Sequence, residues 1–162
     1  MAGASRARPT AAQARRMRSA ARFYAVQALF QMEAADTGLE TVLGEFETHR
    51  VGAEIDGATF AEPDLPHFRA LLAAAVTNQA RIDQTVDRAL EARWPIDRID
   101  PTLRAVFRAA GAELVATDTP PKVTINEYVD VAKAFYPEGK EAKFVNGVLD
   151  HMAREVQPQA FG

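Results

Sequence analysis

The chain has 162 residues, of which 48% are hydrophobic and 25% charged, with a formal net charge of −3. These are the values of a single globular domain with a core to bury, and they exclude a disordered chain. The absence of cysteine excludes a disulfide framework, a thiolate metal site and a cysteine nucleophile.

No apolar run approaches the roughly 20 residues of a membrane helix, and no signal-peptide core follows the first arginines. A cytoplasmic protein is expected. Residues 1–9 are small, polar and basic and read as a disordered arm ahead of a helix cap at Thr10. Arg6, Arg8, Arg15, Arg16, Arg18 and Arg22 all precede the first acidic residue, Glu33, so residues 1–32 carry +6. The remaining 130 residues hold 13 basic and 22 acidic side chains, a balance of −9. An arginine-dense pole on an acidic body predicts a localised polyanion contact.

From Thr10 to about Ala35, Met17, Ala21, Tyr24, Ala25, Ala28, Leu29 and Met32 fall in steps of three and four and make one buried stripe. Arg15, Arg18 and Arg22 share another face. Leu39, Val42, Leu43 and Phe46 give a short second helix, ended by the Gly/Asp/Pro-containing segment from Val51 to Asp64, which reads as the most mobile interior loop. Asp64 caps a long third helix with Phe68, Leu71, Leu72, Ala75, Val76, Ile82, Val86 and Leu90 inward, interrupted by Asn78-Gln79 and ended by Trp94-Pro95.

Asp100-Pro101 is a cap followed by proline at the first helical position, and Leu103, Val106, Phe107, Ala110, Leu114 and Val115 form the core face of the helix it opens. Pro120-Pro121 stops that helix. Thr124 and Glu127 have capping-box spacing and predict the start of another, with Tyr128, Val131, Ala132 and Phe135 inward. The last helix runs from about Lys140 to Val156, with Phe144, Val148 and Met152 on one stripe. No segment alternates polar and apolar residues, so no strand is predicted. The fold class is all-α, a bundle of about six to seven helices.

The signature that speaks to function is Lys122-Val123, Ile125-Asn126-Glu127, Ala132-Lys133 with Phe135, and Lys143-Phe144-Val145-Asn146-Gly147-Val148-Leu149-Asp150. Ala25-Val26-Gln27-Ala28-Leu29-Phe30 and a central block around Phe68-Arg69-Ala70-Leu71-Leu72 and Val76-Thr77-Asn78 accompany it. In order and spacing, from about Arg15 to Asp150, the chain resembles the NusB family of transcription antitermination factors. The resemblance implies two packed helical subdomains, at about 10–94 and 95–157, within one RNA-binding domain spanning 10–162. It also implies binding of a boxA-like single-stranded RNA in ribosomal RNA transcripts. The implied partner is the small-subunit ribosomal protein that serves as NusE, with NusA, NusG and RNA polymerase joined indirectly. Two alternatives stay open: the NusB-like module of a ribosomal RNA methyltransferase, and a helical homodimer that masks its RNA face.

Clustered arginines bind phosphates bidentately and stack on bases. Arg15, Arg16, Arg18 and Arg22 are therefore the first RNA-binding candidates, and the resemblance adds Lys143 and Asn146, three apart on one helix face. The pattern departs from the family at Ser19-Ala20, where arginines often continue, and at Tyr136-Pro137-Glu138-Gly139-Lys140, which replaces a more acidic loop. Asp100, Arg104 and Arg108 lie opposite the core stripe of their helix and are the candidates for partner docking. Phe144 reads as core. His49, His67 and His151 are far apart, and both glycine-rich phosphate motifs are missing. No metal, cofactor or catalytic residue is expected.

Overall fold

A computed structural model describes residues 8–50, 54–55, 58–59, 62–90 and 98–161. Among the described residues, seven α-helices form in chain order: α1 (Ala11–Ala35), α2 (Leu39–Glu45), α3 (Leu65–Thr77), α4 (Gln79–Ala89), α5 (Pro101–Ala116), α6 (Pro121–Phe135) and α7 (Lys140–Val156). Among the described residues, no helix is long and apolar enough to cross a membrane.

Local chemistry explains four of the helix starts. The Thr10 Oγ1 accepts the backbone N–H of Gln13 while the Gln13 side chain accepts that of Thr10, closing a capping box on α1. Asp64 accepts the backbone N–H of His67 at α3, and Asp100 accepts that of Thr102 at α5 ahead of Pro101. Gly139, at φ +80°, supplies the left-handed turn into α7.

Four local expectations need correction. The long third helix is two helices, because the backbone leaves the helical region at Asn78, whose side-chain amide donates to the Ala74 carbonyl. The capping box at Thr124 and Glu127 does not form: α6 starts earlier, with Pro121 at its first position, Thr124 is fully buried and Glu127 points to α1. Val76 is exposed instead of core. A minimal antiparallel ladder, Glu54 with Thr59 and Ile55 with Ala58, occurs where no strand was predicted; Asp56-Gly57, a dipeptide favoured in two-residue hairpins, lies between them in the sequence. One turn of π-helix, Phe46–Arg50, extends α2, and a 3-10 turn, Pro158–Ala160, follows α7.

The helix α5 is the hub. It packs against α1, α3, α4, α6 and α7, and eleven consecutive or near-consecutive residues from Leu103 to Leu114 are buried. The close approach of α4 requires Gly111, since a Cβ there would sit 2.5 Å from Ile82 Cγ2. The buried side chains of all seven helices form one continuous cluster. The proposed subdomain junction, Trp94 to Asp100, and the arm at 1–9 fall mostly outside the described residues, as does the loop from Val51 to Asp64 apart from its ladder and its last residues.

Candidate nucleic-acid interface

The first turns of α1 carry the arginine pole, held in place by an ion-pair network further along the same helix. Arg22 is only 3% exposed. Its Nε donates to both oxygens of Glu113 on α5 at 3.0 and 3.1 Å, and its Nη2 donates to Glu113 Oε2 at 2.7 Å. Tyr128 on α6 donates its hydroxyl to Glu113 Oε1 at 2.9 Å, and His67 Nε2 on α3 lies 3.5 Å from Oε2. Arg22 Nη1 also lies 3.3 Å from Glu127 on α6, which accepts from the Ser19 hydroxyl at 2.9 Å. Four helices thus converge on one buried carboxylate.

Burial pushes the Glu113 carboxyl up, but the flanking His67 and Arg22 outweigh it and hold it down at about 2. Burial likewise pulls the Arg22 guanidinium down, yet Glu113 leaves it raised above its ordinary value. Burial, followed by the Glu113 charge, pushes the Tyr128 phenol well up. Arg22, expected among the RNA contacts, is therefore a structural cation: its donors are committed inside the protein. The pair ties α1 to α5 about one helical turn beyond Arg18.

Arg15, Arg16 and Arg18 behave differently. All three are exposed and have no carboxylate partner among the described residues. Arg22, Arg69, Arg88, Arg104, Arg108 and Arg154 all do. Arg15 and Arg18 line a cleft of about 350 Å³ between α1 and the α5–α6 connection, together with Asp118, Thr119, Pro120, Val123, Glu127 and the edge of Arg22. Sequence reasoning missed Asp118 here, because it belongs to no local pattern, and it quoted Val123 only as part of the signature, without placing it at this cleft. Arg16 does not line this cleft.

On α7, Lys143 and Asn146 are exposed, and neither lines the arginine cleft. Phe144 between them, expected to be core, is instead 43% exposed. The buried stripe of α7 is Val145, Val148, Leu149 and Met152, which leaves Phe144 at its edge, with its ring 6.0 Å from that of Phe107 in a T-shaped contact.

The candidates for partner docking also divide. Asp100 is exposed and serves as the α5 cap. Arg104, expected opposite the core, is buried: it pairs with Glu33 and donates to the Ile99 carbonyl at 3.0 Å. Arg108 bridges Asp83 at 2.9 Å and Glu33 at 3.2 Å. The hydrogen bond and charge of Arg104, with Arg108 adding to them, hold the Glu33 carboxyl below its usual range despite its partial burial. Glu33, Arg104 and Arg108, but not Asp100, line a cleft of about 440 Å³ that includes Leu29, Met32 and Val76. A third cleft, of about 370 Å³, is mostly apolar and is formed by Val26, Phe30, Ala34, Thr102 and Phe135 with two glutamines. Phe30 is 40% exposed there, a feature the sequence reading did not single out.

The comparisons with known proteins agree with this architecture. The NusB family model matches residues 19–154. Transcription antitermination protein NusB of Mesorhizobium japonicum is 47% identical over 146 residues, covering 90% of this chain and 94% of that protein. The T. maritima NusB structure superposes with a TM-score of 0.69 at 31% identity, covering 88% of this chain and 95% of that one. A chain from a crystal structure of antitermination factors NusB and NusE with double-stranded RNA has a TM-score of 0.68 at 24% identity, over 85% and 96%, a likeness of fold. With the family match extending from within α1 to the last turn of α7, the chain belongs to the NusB family.

Proposed function

We propose that this chain is an RNA-binding transcription antitermination factor that recognises a boxA-like single-stranded RNA together with the ribosomal protein NusE. The observation that carries the reading is the set of three unpartnered arginines, Arg15, Arg16 and Arg18, on one exposed end of α1. Six other arginines, Arg22, Arg69, Arg88, Arg104, Arg108 and Arg154, are paired with carboxylates, whereas clustered guanidiniums without an ion-pair partner are available to phosphates. Family membership supports the same reading.

In this mechanism the protein binds without turning anything over. The arginines release counterions from the RNA backbone and stack on exposed bases. Lys143 and Asn146 add a second contact on α7, and the half-exposed Phe144 ring between them offers a stacking surface. NusE covers the apolar cleft around Phe30, since an exposed aromatic in an apolar setting is stabilised by a partner that removes it from water. The pair then joins NusA, NusG and RNA polymerase in the bacterial cytoplasm.

Titration of a labelled boxA RNA, alone and with NusE, tests the reading. If about four phosphates are neutralised, log Kd against log salt concentration has a slope of magnitude near 3. RNA and NusE must raise each other's affinity by the same factor. Equal affinity for duplex of any sequence, or no salt dependence, overturns it.

A further inference from the structure

The cleft beside the arginine pole holds a combination that phosphate binding alone does not explain. One wall carries the unpartnered cations Arg15 and Arg18; the other carries two carboxylates, Asp118 and Glu127; and Val123, 43% exposed, and Pro120 supply apolar surface. A site built for phosphate has no use for carboxylates, and a site built for a cation has no use for two free arginines. A nucleotide needs both, because its phosphate is anionic while its base has π-faces and an edge of hydrogen-bond donors and acceptors.

Resting on the reading of this face as an RNA-binding surface, we propose that the cleft is a single-nucleotide pocket that selects guanine, with Asp118 accepting from its Watson–Crick edge. Its volume of about 350 Å³ suits one nucleotide and falls in the small-ligand range of roughly 300 to 1,000 Å³. The two carboxylates are not equivalent. Glu127 is already engaged by the Ser19 hydroxyl and Arg22, so it forms a fixed, partly neutralised wall. Asp118 is exposed and has no partner among the described residues.

A carboxylate offers only acceptors. Guanine presents two neighbouring donors, N1–H and the N2 amino group, which one carboxylate can accept together. Adenine and cytosine each set a ring-nitrogen acceptor beside their amino group, and uracil flanks its single N–H with two carbonyls. In each case a carboxylate meets a lone pair beside the donor. The guanine edge is also occupied in a duplex, so a pocket that reads it selects for single strands. Arg15 and Arg18 hold the adjoining phosphate or stack over the base.

The test uses the full chain and a short fluorescein-labelled boxA-like RNA containing guanine, compared with versions in which each guanine in turn is replaced by inosine, which lacks the N2 amino group. One position is expected at which inosine weakens wild-type binding by at least about fivefold, the low end for loss of a base-edge contact. Asp118→Asn and Asp118→Ala should bring the guanine-to-inosine ratio at that position to about one, while leaving the salt slope and the melting temperature unchanged. A ratio that persists in both variants, or wild-type binding that distinguishes no position, overturns the pocket while the arginine contacts stand. Absence of any salt-dependent RNA binding overturns the RNA reading and the pocket with it.

Discussion

Arg22 and Glu113, ninety-one residues apart in the chain, form a bidentate ion pair inside the helical core, with Nη2 2.7 Å from Oε2 and Nε 3.0 Å from Oε1. Neither side chain is appreciably exposed. Removing one partner leaves a buried charge without compensation, at a cost of about 3 to 5 kcal/mol. Arg22→Ala and Glu113→Ala should each lower the urea midpoint accordingly. The double variant should cost less than the sum of the two, because the second truncation removes the charge that the first left stranded. Additive losses would show that the pair is not coupled.

Acid should act through the same carboxylate. The Glu113 carboxyl sits at about 2 in the fold against an ordinary value of 4.5, so the unfolded chain takes up the proton first as pH falls. The stabilisation is fully present above about pH 4.5 and is lost as pH falls toward about 2. Its size is on the order of 3 kcal/mol. Wild type should therefore lose stability more steeply than Glu113→Gln between pH 5 and pH 2, as read by urea melts at fixed ionic strength. Parallel pH profiles would remove Glu113 as the group responsible.

The arginine pole is predicted to matter for binding and not for folding. Changing Arg15, Arg16 and Arg18 to Ala removes exposed side chains without ion-pair partners and should alter stability by no more than about 0.5 kcal/mol per substitution. BoxA RNA affinity should fall. The salt slope should flatten by about 2, at roughly 0.7 per phosphate contact on a single strand. Unchanged affinity in the triple variant would remove the pole as the RNA site.

The division between Arg22 and the other three arginines shows where sequence reasoning stops. Helix periodicity and caps are local, so Thr10, Asp64 and Asp100 could be placed as helix starts from their neighbours alone. The same local rule grouped Arg15, Arg18 and Arg22 on one face, and only the distant Glu113 separates them. A signal was present. Glu113 is the one charged residue in the apolar run from Ala109 to Val115, and a carboxylate on a core helix calls for a buried cation. Asp118 gave no comparable signal, and Val123 stood out only as part of the signature, because the cleft they form with α1 exists only after α1, α5 and α6 have packed. The Thr124 and Glu127 spacing misled for a related reason: Pro121 can open a helix by itself, leaving Glu127 free to serve α1.

Gly111 should be intolerant of the smallest change. A Cβ there would lie 2.5 Å from Ile82 Cγ2 and 3.3 Å from Met152 Cε. Because Ile82 is fully packed, α4 cannot give way without losing other contacts, and overpacking of this kind costs about 1 to 3 kcal/mol. Gly111→Ala should melt earlier than wild type even though alanine is the better helix former. Ile82→Val combined with Gly111→Ala should recover part of the loss by making room. A single Gly111→Ala variant as stable as wild type would show that α4 and α5 adjust freely.

Phe144 separates a packing role from a binding one. At 43% exposure, with its ring meeting Phe107 edge-on at 6.0 Å, it cannot carry the burial energy of a core phenylalanine, whose truncation costs about 3 to 5 kcal/mol. Phe144→Ala should cost about 1 kcal/mol, the scale of one aromatic contact. Stacking on a base is worth about 1 to 3 kcal/mol per base, so RNA affinity should fall by roughly fivefold to a hundredfold in a protein that remains folded. Phe144→Tyr, which keeps the ring and adds a hydroxyl at an exposed position, should bind RNA like wild type. A melt and an RNA titration on both variants decide the question: a large stability loss would restore the residue to the core, and unchanged RNA affinity in Phe144→Ala would end its role as a stacking surface.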